Sequence, residues 1–317
     1  MSFIAATERI LLAGNGRLAY SLAINLVRGG NKVVLFSQHR AEAERYFGVY
    51  RKDFSLGGEE ILEHQEIEIV ETLPEQVYTK LAIAITEEDV EAKMRMIEAL
   101  ELRLAPDCPI AINSETISLA LLQKRSRYAD RIFLANWVEP VDSSFFLEIV
   151  SNEITNRIHV ENFENKARIH WGKDPFVIEG NTGIRTPLMA AMVREALYLV
   201  QNGYASPEDI DRTCRNDPGY YLPFAGNLRY MDLMGTNVYG MVMKELNPEL
   251  STSTKPDDSF LSMLKNGEVG MRADKGFYEY GQGESERWEK VLRKFSHQIY
   301  ELIGKYPFNY EQKKTDL

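Results

Sequence analysis

The chain has 317 residues, of which 44% are hydrophobic and 26% are charged, and its formal net charge is −10. This composition predicts a globular protein of one large or two medium domains, and the acidic balance argues against a nucleic-acid partner. No run of about 18 apolar residues occurs, so we expect no transmembrane helix and no membrane partner.

The cysteine and histidine content indicates the redox compartment and bears on metal binding. Two cysteines are too few for a disulfide framework, which favours a reducing cytoplasm. The five histidines show no metal-ligand spacing with either cysteine, so we expect no metal site. The first residues lack a basic stretch and run straight into a glycine loop, which favours a strand over a signal peptide.

Short apolar runs alternate with amphipathic stretches through the first half of the chain. The predicted strands are Arg9–Ala13, Lys32–Phe36, Ile67–Val70, Leu81–Ile85, Pro109–Ile112, Ile132–Ala135, Ser144–Val150 and Pro175–Ile178. The predicted helices are Leu18–Arg28, Ala41–Tyr50, Asp89–Leu102, Ser118–Arg127 and Asn156–His170. This alternation predicts a parallel sheet that helices cover on both faces.

The pattern changes near residues 179–183, which suggests a link between domains. Beyond it, apolar residues at helical spacing predict a helix from Leu188 that ends before Gly203. Ser206 and Pro207 then predict the N-cap and first residue of another helix. Further helices are predicted at Asn227–Met234, Val238–Leu246, Asp258–Asn266 and Glu284–Ile303. We predict an α/β fold: a Rossmann-like doubly wound sheet at 1–180 and a smaller all-α domain at 181–317.

A glycine loop joins the first predicted strand to the first predicted helix, with the pattern G-x-G-x-x-A from Gly14 to Ala19. The first glycine permits a tight turn, and the second lets the backbone approach a pyrophosphate. The anion would face the free N–H groups of the following helix. The alternative is an ordinary strand–helix turn. We predict that a dinucleotide is bound by Gly14, Asn15, Gly16, Arg17 and Leu18.

The end of the second predicted strand bears on which dinucleotide binds. NAD-binding domains usually have an acidic residue there for the ribose hydroxyls, and this chain has Ser37. Loss of the acid removes repulsion toward a 2′-phosphate, which Arg40 or His39 could contact. The alternative is that Ser37 caps a helix at the surface. NAD and NADP both remain open.

The segment from Ile132 to Val150 contains Asn136, Pro140 and the run Leu-Glu-Ile-Val that includes Glu148. It resembles the catalytic strand pair of the 3-hydroxyacyl-CoA dehydrogenase family, H-x-x-N-P followed by L-V-E-V. Glu148 lies twelve positions after Asn136, the spacing at which the family pairs its catalytic His with an orienting Glu. Asn136 replaces that His and cannot titrate, so it could only donate a hydrogen bond to a carbonyl. Glu139 replaces the Asn of N-P.

Two further family motifs are altered at their catalytic positions. Residues 113–116 resemble N-T-S-S, and Glu115 stands where the resemblance places the active Ser. Residues 181–187 resemble P-G-F-x-x-N-R, and Thr186 falls where the carbonyl-holding Asn belongs. The resemblance therefore implies a catalytic set of Asn113, Glu115, Asn136, Glu148 and Thr186.

Three glutamates, Glu115, Glu139 and Glu148, are candidates for the missing acid–base function. Crowding of carboxylates favours proton binding by one of them, which could then act as acid or base. Hydroxyls that could replace the lost Ser and Asn are those of Ser114, Thr116 and Thr186. The alternative is that Glu115 and Glu139 are exposed loop residues and Glu148 is a relic paired with Arg185.

The resemblance extends over nearly the whole chain. Glu88 and Lys93 keep the spacing of a Glu and a Lys that the family carries near the nicotinamide ribose; the alternative is a charged pair on a solvated helix. Residues 275–280 resemble G-K-G-F-Y-D-Y, and Arg272 stands near a cofactor-contacting Lys of the family. By themselves, Phe277, Tyr278 and Tyr280 would be interpreted as core aromatics.

The resemblance implies an NAD(P)-dependent oxidoreductase that moves hydride between nicotinamide and the 3-hydroxy/3-oxo carbon of an acyl-CoA or a related 3-hydroxy acid. Residues 51–65 are shorter than the family's CoA-contacting helical hairpin, which predicts a reduced CoA-binding surface and makes a smaller hydroxy acid possible. The alternative function is a catalytically inactive dinucleotide-binding sensor or scaffold. The resemblance also implies a homodimer formed through the helical domain, where adaptable methionine contacts are available. These methionines are Met231, Met234, Met241 and Met243.

Overall fold

A computed structural model describes residues 8–55 and 67–306 of the protein. The chain divides into two compact units, Met1–Thr186 and Pro187–Leu317. Within the described ranges, no helix is long and apolar enough to cross a membrane. In the same ranges, no group of three or more His, Cys, Asp or Glu side chains could hold a metal ion. The short connection expected at 51–65 lies largely outside the described residues.

The first unit is built on an eight-stranded sheet, in the order β3-β2-β1-β4-β5-β6-β7-β8. The strands are β1 (Arg9–Gly14), β2 (Lys32–Phe36), β3 (Ile67–Val70), β4 (Leu81–Ile85), β5 (Ile110–Ile112), β6 (Ile132–Trp137), β7 (Phe146–Ser151) and β8 (Asp174–Glu179). Neighbouring strands pair in parallel except β6 and β7, which are antiparallel. The strands are continuous apolar runs because both faces of the sheet are covered.

Five helices of this unit complete the predicted doubly wound α/β arrangement. They are α1 (Gly16–Arg28), α2 (Arg40–Ser55), α3 (Val90–Glu101), α4 (Leu119–Gln123) and α5 (Arg157–His170). One apolar core contains buried residues of α1, α2 and α5 together with one set of strand residues. A second core joins α3 and α4 to the alternate strand residues. Because successive strand side chains point to opposite faces, these two cores lie on the two sides of the sheet.

The parallel strands β1, β4, β5 and β6 end at one edge of the sheet. The register pairs Gly14 with Ile85 and Ile112 with Leu134. The residues that follow these strands therefore lie next to each other. Parallel α/β sheets bind ligands at this carboxyl edge, which makes it the first place to look for a site.

The second unit is helical, as predicted. Its helices are α6 (Arg185–Gln201), α7 (Pro207–Asn216), α8 (Pro218–Met234), α9 (Thr236–Leu246), α10 (Asp258–Lys265) and α11 (Glu284–Lys305). The predicted cap of α7 is confirmed: the Ser206 hydroxyl and the Asp209 carboxylate form a capping box. The predicted helix Asn227–Met234 is confirmed as the part of α8 that follows a break at Gly226, where φ is +67°. The helical turns of α8 from Pro218 up to this break were not predicted.

The apolar side chains of the second unit are mostly exposed. Among residues 187–306, only Ala225 and Ser251 are buried. The prediction that Phe277 and Tyr278 are core aromatics is therefore wrong, because their side chains are 49% and 37% exposed. Tyr278 instead donates a hydrogen bond to Asp211 at 2.7 Å, and this bond raises the pKa of the Tyr278 hydroxyl to about 12.

Candidate active site

The glycine loop between β1 and α1 leaves room for a phosphate group. A Cβ atom on Gly14 would lie 2.4 Å from the carbonyl oxygen of Ile85, so only glycine fits there. Gly16 has φ +83°, and no atom lies within 4 Å of the position that its Cβ would take. The Asn15 side chain makes no capping hydrogen bond to α1, and the first turn of α1 has no acidic residue. The loop therefore fits the pyrophosphate of a dinucleotide.

Ser37, at the end of β2, is tied to this loop. Its side chain is buried, and its hydroxyl donates a hydrogen bond to Asn15 Oδ1 at 2.8 Å. The same Oδ1 accepts the backbone N–H of Gln38 at 3.0 Å. Ser37 is therefore buried and not at the surface, although its hydroxyl also accepts the backbone N–H of His39 at 3.2 Å ahead of α2. Arg40, which opens α2, donates to Glu44 Oε1 at 2.9 Å and to the carbonyl of Ile69 at 3.1 Å.

An ion pair lies beside the start of α1. Arg17 Nε is 3.0 Å from Glu139 Oε1, and both side chains are partly exposed. Glu139 follows β6, so this pair connects the altered family motif to the glycine loop. Leu18 packs its side chain against the core beneath the loop. The structure therefore places the Glu139 side chain beside the glycine loop.

Glu88 organises the loop that follows β5. Its Oε1 accepts the backbone N–H groups of Glu115, Thr116 and Ile117 at 2.7–3.1 Å. The hydroxyls of Ser114 and Thr116 donate to the same oxygen. The second oxygen, Oε2, lies 3.1 Å from Lys93 Nζ. Burial raises the pKa of Glu88, but the N–H of Thr116 and the Lys93 ammonium outweigh it, so that pKa lies below its ordinary value.

Lys93 is completely enclosed by protein. Its side chain is 0% exposed, and Nζ donates to the carbonyl oxygen of Asn113 at 2.7 Å. Burial lowers the pKa of Lys93, while the Glu88 and Glu115 carboxylates oppose that change. The interpretation of a charged pair on a solvated helix is therefore wrong. Contact of Glu88 or Lys93 with a nicotinamide ribose stays a prediction.

Asn136 and Glu148 lie directly opposite each other in the antiparallel β6–β7 pair. Asn136 Nδ2 donates to Glu148 Oε2 at 3.0 Å, and Asn136 Oδ1 accepts the backbone N–H of Ser114 at 2.9 Å. Both side chains are 1% exposed. Asn136 thus reproduces the anchoring contact to Glu148 without a group that can carry a proton.

Glu148 is also bound by the turn that precedes α6. Its Oε1 accepts the backbone N–H groups of Ile184 at 2.7 Å and Arg185 at 3.1 Å. A Cβ on Gly183 would lie 1.8 Å from Glu148 Oε2, so the turn approaches the carboxylate as only glycine allows. Glu148 is therefore paired with the backbone of Arg185 and not with its guanidinium.

The Arg185 guanidinium binds Glu115 instead. Arg185 Nη1 is 3.0 Å from Glu115 Oε1, and the Thr186 hydroxyl donates to Glu115 Oε2. The Glu115 side chain is 25% exposed. The structure thus brings together Glu115, at the family's Ser position, and Thr186, at the family's Asn position.

Each of the three candidate glutamates has donors of its own. Arg17 pairs with Glu139, Arg185 and Thr186 with Glu115, and Asn136 with Glu148. A repulsive carboxylate cluster is therefore not what the described residues form. Of the remaining predicted residues, Asn113 accepts the backbone N–H of Trp137 at 3.4 Å through Oδ1. Arg272 lies in the second unit and pairs with Glu289, so its contact with a cofactor stays a prediction.

The sequence did not point to three of these roles. They are the backbone anchor at Ile184 and Arg185, the loop-organising role of Glu88, and the Arg17–Glu139 pair. Gly183 was the available signal for the first, since a glycine ahead of a helix can mark a close approach. The other two depend on contacts between segments that are distant in sequence.

We expect Gly16→Ala to weaken NADH binding at least tenfold. Alanine is strained at φ +83°, and its methyl group would occupy the open space of the loop. Fluorescence titration with NADH measures the effect. Gly48→Ala in α2 is the matched control, since no atom lies near its Cβ position and its φ is not positive. Equal NADH affinity of the two variants would contradict a cofactor role for Gly16.

Comparison with known proteins gives the site a family context. The model described as the 3-hydroxyacyl-CoA dehydrogenase NAD binding domain matches residues 9–182. The model described as the C-terminal domain of that enzyme matches residues 184–280.

Two curated relatives align over most of their length. The chain is 23% identical over 286 residues to 5-formyl-3-hydroxy-2-methylpyridine 4-carboxylate 5-dehydrogenase from Mesorhizobium japonicum, covering 86% of this chain and 91% of that one. It is 22% identical over 288 residues to a probable 3-hydroxybutyryl-CoA dehydrogenase from Bacillus subtilis, covering 88% and 99%.

Two solved structures share the fold. One is the 5-dehydrogenase of 5-formyl-3-hydroxy-2-methylpyridine 4-carboxylic acid, described as an NAD+ dependent dismutase. It gives a TM-score of 0.85 at 20% identity, and the match covers 95% of this chain and 100% of that chain. The other, (S)-3-hydroxybutyryl-CoA dehydrogenase from Ralstonia eutropha, gives a TM-score of 0.67 at 20% identity, covering 87% and 100%. At these identities the likeness extends to the fold alone.

Proposed function

Because the chain belongs to the 3-hydroxyacyl-CoA dehydrogenase family, we propose that it is an NAD-dependent oxidoreductase that interconverts a hydroxyl and a carbonyl group, in an acyl-CoA or in a smaller 3-hydroxy acid. Bound nicotinamide supplies the acceptor or donor of hydride. One observation carries the proposal: the glycine loop follows β1, Glu115 lies in the loop after β5 and Asn136 lies near the end of β6, and these strands end at the same edge of the sheet.

Different residues of the first unit bind the cofactor and hold the reacting groups in place. Gly14, Gly16 and the N-terminus of α1 hold the pyrophosphate, and Asn15 fixes the loop to β2. Glu88 fixes the loop that carries Glu115, and Glu148 fixes Asn136. A site held at this many points is pre-organised, which is what positioning of a reacting group requires.

Two observations favour a substrate smaller than acyl-CoA. The chain resembles the pyridine-carboxylate dehydrogenase over nearly its full length, with the higher TM-score of the two structures above. Residues 51–65 leave little chain for a CoA-contacting hairpin. A small organic acid with an oxidisable hydroxyl or reducible carbonyl is the substrate class we favour.

The surroundings of Arg40 favour NAD over NADP. Its guanidinium already binds the Glu44 carboxylate and the carbonyl of Ile69. A 2′-phosphate near Arg40 would compete with Glu44 and suffer its repulsion. We expect NADH to bind at least tenfold more tightly than NADPH in a fluorescence titration; equal affinities would refute this preference.

The proposed function is tested by steady-state oxidation of NADH with three oxidised probes: acetoacetyl-CoA, acetoacetate, and 5-formyl-3-hydroxy-2-methylpyridine 4-carboxylate. We expect turnover of about 1 per second or more with one of the small acids. Asn136→His should be measured beside the wild type. An inactive wild type that binds NADH, with activity gained by the His variant, would instead support the non-catalytic sensor or scaffold.

We also propose that the second unit is covered by a second copy of this chain. Its exposed apolar side chains include Leu228 at 75%, Met241 at 67% and Phe295 at 57%. An apolar surface of this extent is costly to leave in water and marks an interaction site. The family resemblance supports an identical chain as the occupant.

Light scattering at micromolar concentration should give twice the chain mass. Introducing charge with Leu228→Glu and Met241→Glu should yield monomers, because a carboxylate in an apolar interface is not compensated. Leu102→Glu is the matched control, since Leu102 is 71% exposed in the first unit. A monomeric wild type, or dimers that survive the double substitution, would refute the proposed interface.

A further inference from the structure

The proposed reaction needs a group that carries the hydroxyl proton, and the residue at the family's His position cannot do so. Both polar atoms of the Asn136 amide already have partners, Glu148 and the N–H of Ser114. An amide does not titrate in the physiological range. The proton carrier must therefore be another side chain at the carboxyl edge of the sheet.

Glu148 is a poor candidate because it is locked in place. It is 1% exposed, and three N–H donors, from Asn136, Ile184 and Arg185, bind its two oxygens. These bonds fix both oxygens to Asn136 and to the turn before α6, away from solvent. Its position fits an anchor and not a group that gains and loses a proton.

Glu139 is committed to the cofactor loop. Its carboxylate is bound by Arg17, which belongs to the first turn of α1 next to Gly16. Glu115 forms a comparable ion pair with Arg185, so the two glutamates differ in position: Glu139 lies beside the glycine loop and Glu115 does not. An ion pair at this place suits control of charge near the cofactor.

Glu115 meets the remaining requirements. It lies in the loop after β5, its backbone N–H is bound to Glu88, and its side chain is 25% exposed. One oxygen receives the Thr186 hydroxyl and the other the Arg185 guanidinium. The loop is thus held in place, while the carboxylate keeps access to solvent. Glu115 also follows Ser114, whose N–H binds Asn136 Oδ1.

On this geometry, and resting on the proposed function, we propose that Glu115 has replaced the family His as the proton carrier. In the oxidation direction the carbon–hydrogen bond of the alcohol breaks, and its electron pair leaves as hydride to NAD+, which is reduced to NADH. The O–H bond of the hydroxyl on the same carbon also breaks, and its proton passes to a Glu115 oxygen. The carbon–oxygen single bond thereby becomes the double bond of a carbonyl. Glu115 then releases the proton to water. Reduction reverses each step.

The kinetic test uses Glu115→Gln, which keeps an oxygen that can accept from Thr186 or Arg185 but cannot take a proton. With whichever probe gives turnover, we expect kcat to fall at least about 100-fold, the scale of general acid–base catalysis. The affinity for NADH should stay within twofold. The wild-type pH profile of kcat/KM should show an ionisation that the variant lacks. Glu153→Gln, an exposed carboxylate on another loop, is the control and should match the wild type.

A second readout does not depend on turnover. Protein labelled with 13C at the glutamate carboxyl carbons should show a Glu115 resonance, assigned by its absence in Glu115→Gln. That resonance should shift when NADH and the hydroxy form of the active probe are added together; these two cannot react, because both are already reduced. No shift, or a Glu115→Gln variant with wild-type kcat and pH profile, would overturn the role of Glu115 and leave the proposed oxidoreductase intact. No turnover with any probe would refute both.

Discussion

Replacing Gly183 by alanine should lower the free energy of unfolding by about 3 to 5 kcal/mol, the range for breaking a buried, hydrogen-bonded charge. The new Cβ would lie 1.8 Å from Glu148 Oε2 and 2.5 Å from Cδ, so the carboxylate must move. Moving it breaks the bonds to Asn136 Nδ2 and to the backbone of Ile184. Asn136 is buried, so its orphaned Nδ2 donor finds no water. Urea denaturation measures the loss.

Gly180→Ala is the matched control for Gly183→Ala. Gly180 lies three residues earlier in the same connection, nothing lies within 4 Å of its Cβ position, and its φ is not positive. We expect a change within about 0.5 kcal/mol there. In a Glu148→Ala background, Gly183→Ala should become nearly neutral, since the obstructing carboxylate is gone. Additive effects of Gly183→Ala and Glu148→Ala would contradict the steric argument.

The features that the sequence predicted are local or lie in one hairpin. The glycine loop spans adjacent residues, and the buried strands are continuous apolar runs, so β1, the loop and α1 could be placed directly. The Asn136–Glu148 pair was indicated by spacing because β6 and β7 are consecutive antiparallel strands. Pro223 lies inside α8 and Gly226 breaks it, and the helical turns before that break, where proline disfavours a helix, were not predicted.

The features that the sequence did not predict join segments that only the folded sheet brings together. Glu88 reaches residues 114–117 across the β4–β5 crossover, and Arg185 reaches Glu115 from 70 positions away. The sequence shows the sign of a side chain's charge but not the residue with which it pairs. For this reason the alternative that paired Glu148 with Arg185 named the right residue but did not show that the carboxylate binds the Arg185 backbone.

Replacing Glu88 by glutamine should lower the free energy of unfolding by about 3 kcal/mol or more near neutral pH, because it breaks an ion pair with a buried partner. The change is selective: Oε1 can still bind the N–H groups of the 115–117 loop, whereas Oε2 becomes an NH2 group facing Lys93 Nζ. Lys93 is 0% exposed, so water cannot replace the lost carboxylate. Urea denaturation of both proteins from pH 3.5 to 9 measures the loss.

The pH dependence separates this ion pair from a general packing defect. The folded-state pKa of Glu88 is depressed, so its contribution is present above the ordinary value of 4.5 and is lost as pH falls through the folded value. Wild type should therefore lose stability on acidification more steeply than Glu88→Gln. At high pH, Lys93, whose pKa burial already lowers, can shed its proton, so the penalty of the variant should shrink.

Glu91→Gln is the matched control, on the helix α3 that also carries Lys93. Glu91 pairs with Arg125 at 3.5 Å, and both side chains are more than half exposed, so we expect a change within about 0.5 kcal/mol. If Glu88→Gln and Glu91→Gln behaved alike, Lys93 would have to find another partner, and the loop that carries Glu115 would not depend on Glu88. The predicted contrast links stability to function, because the same carboxylate that stabilises the buried lysine also holds the backbone of Glu115.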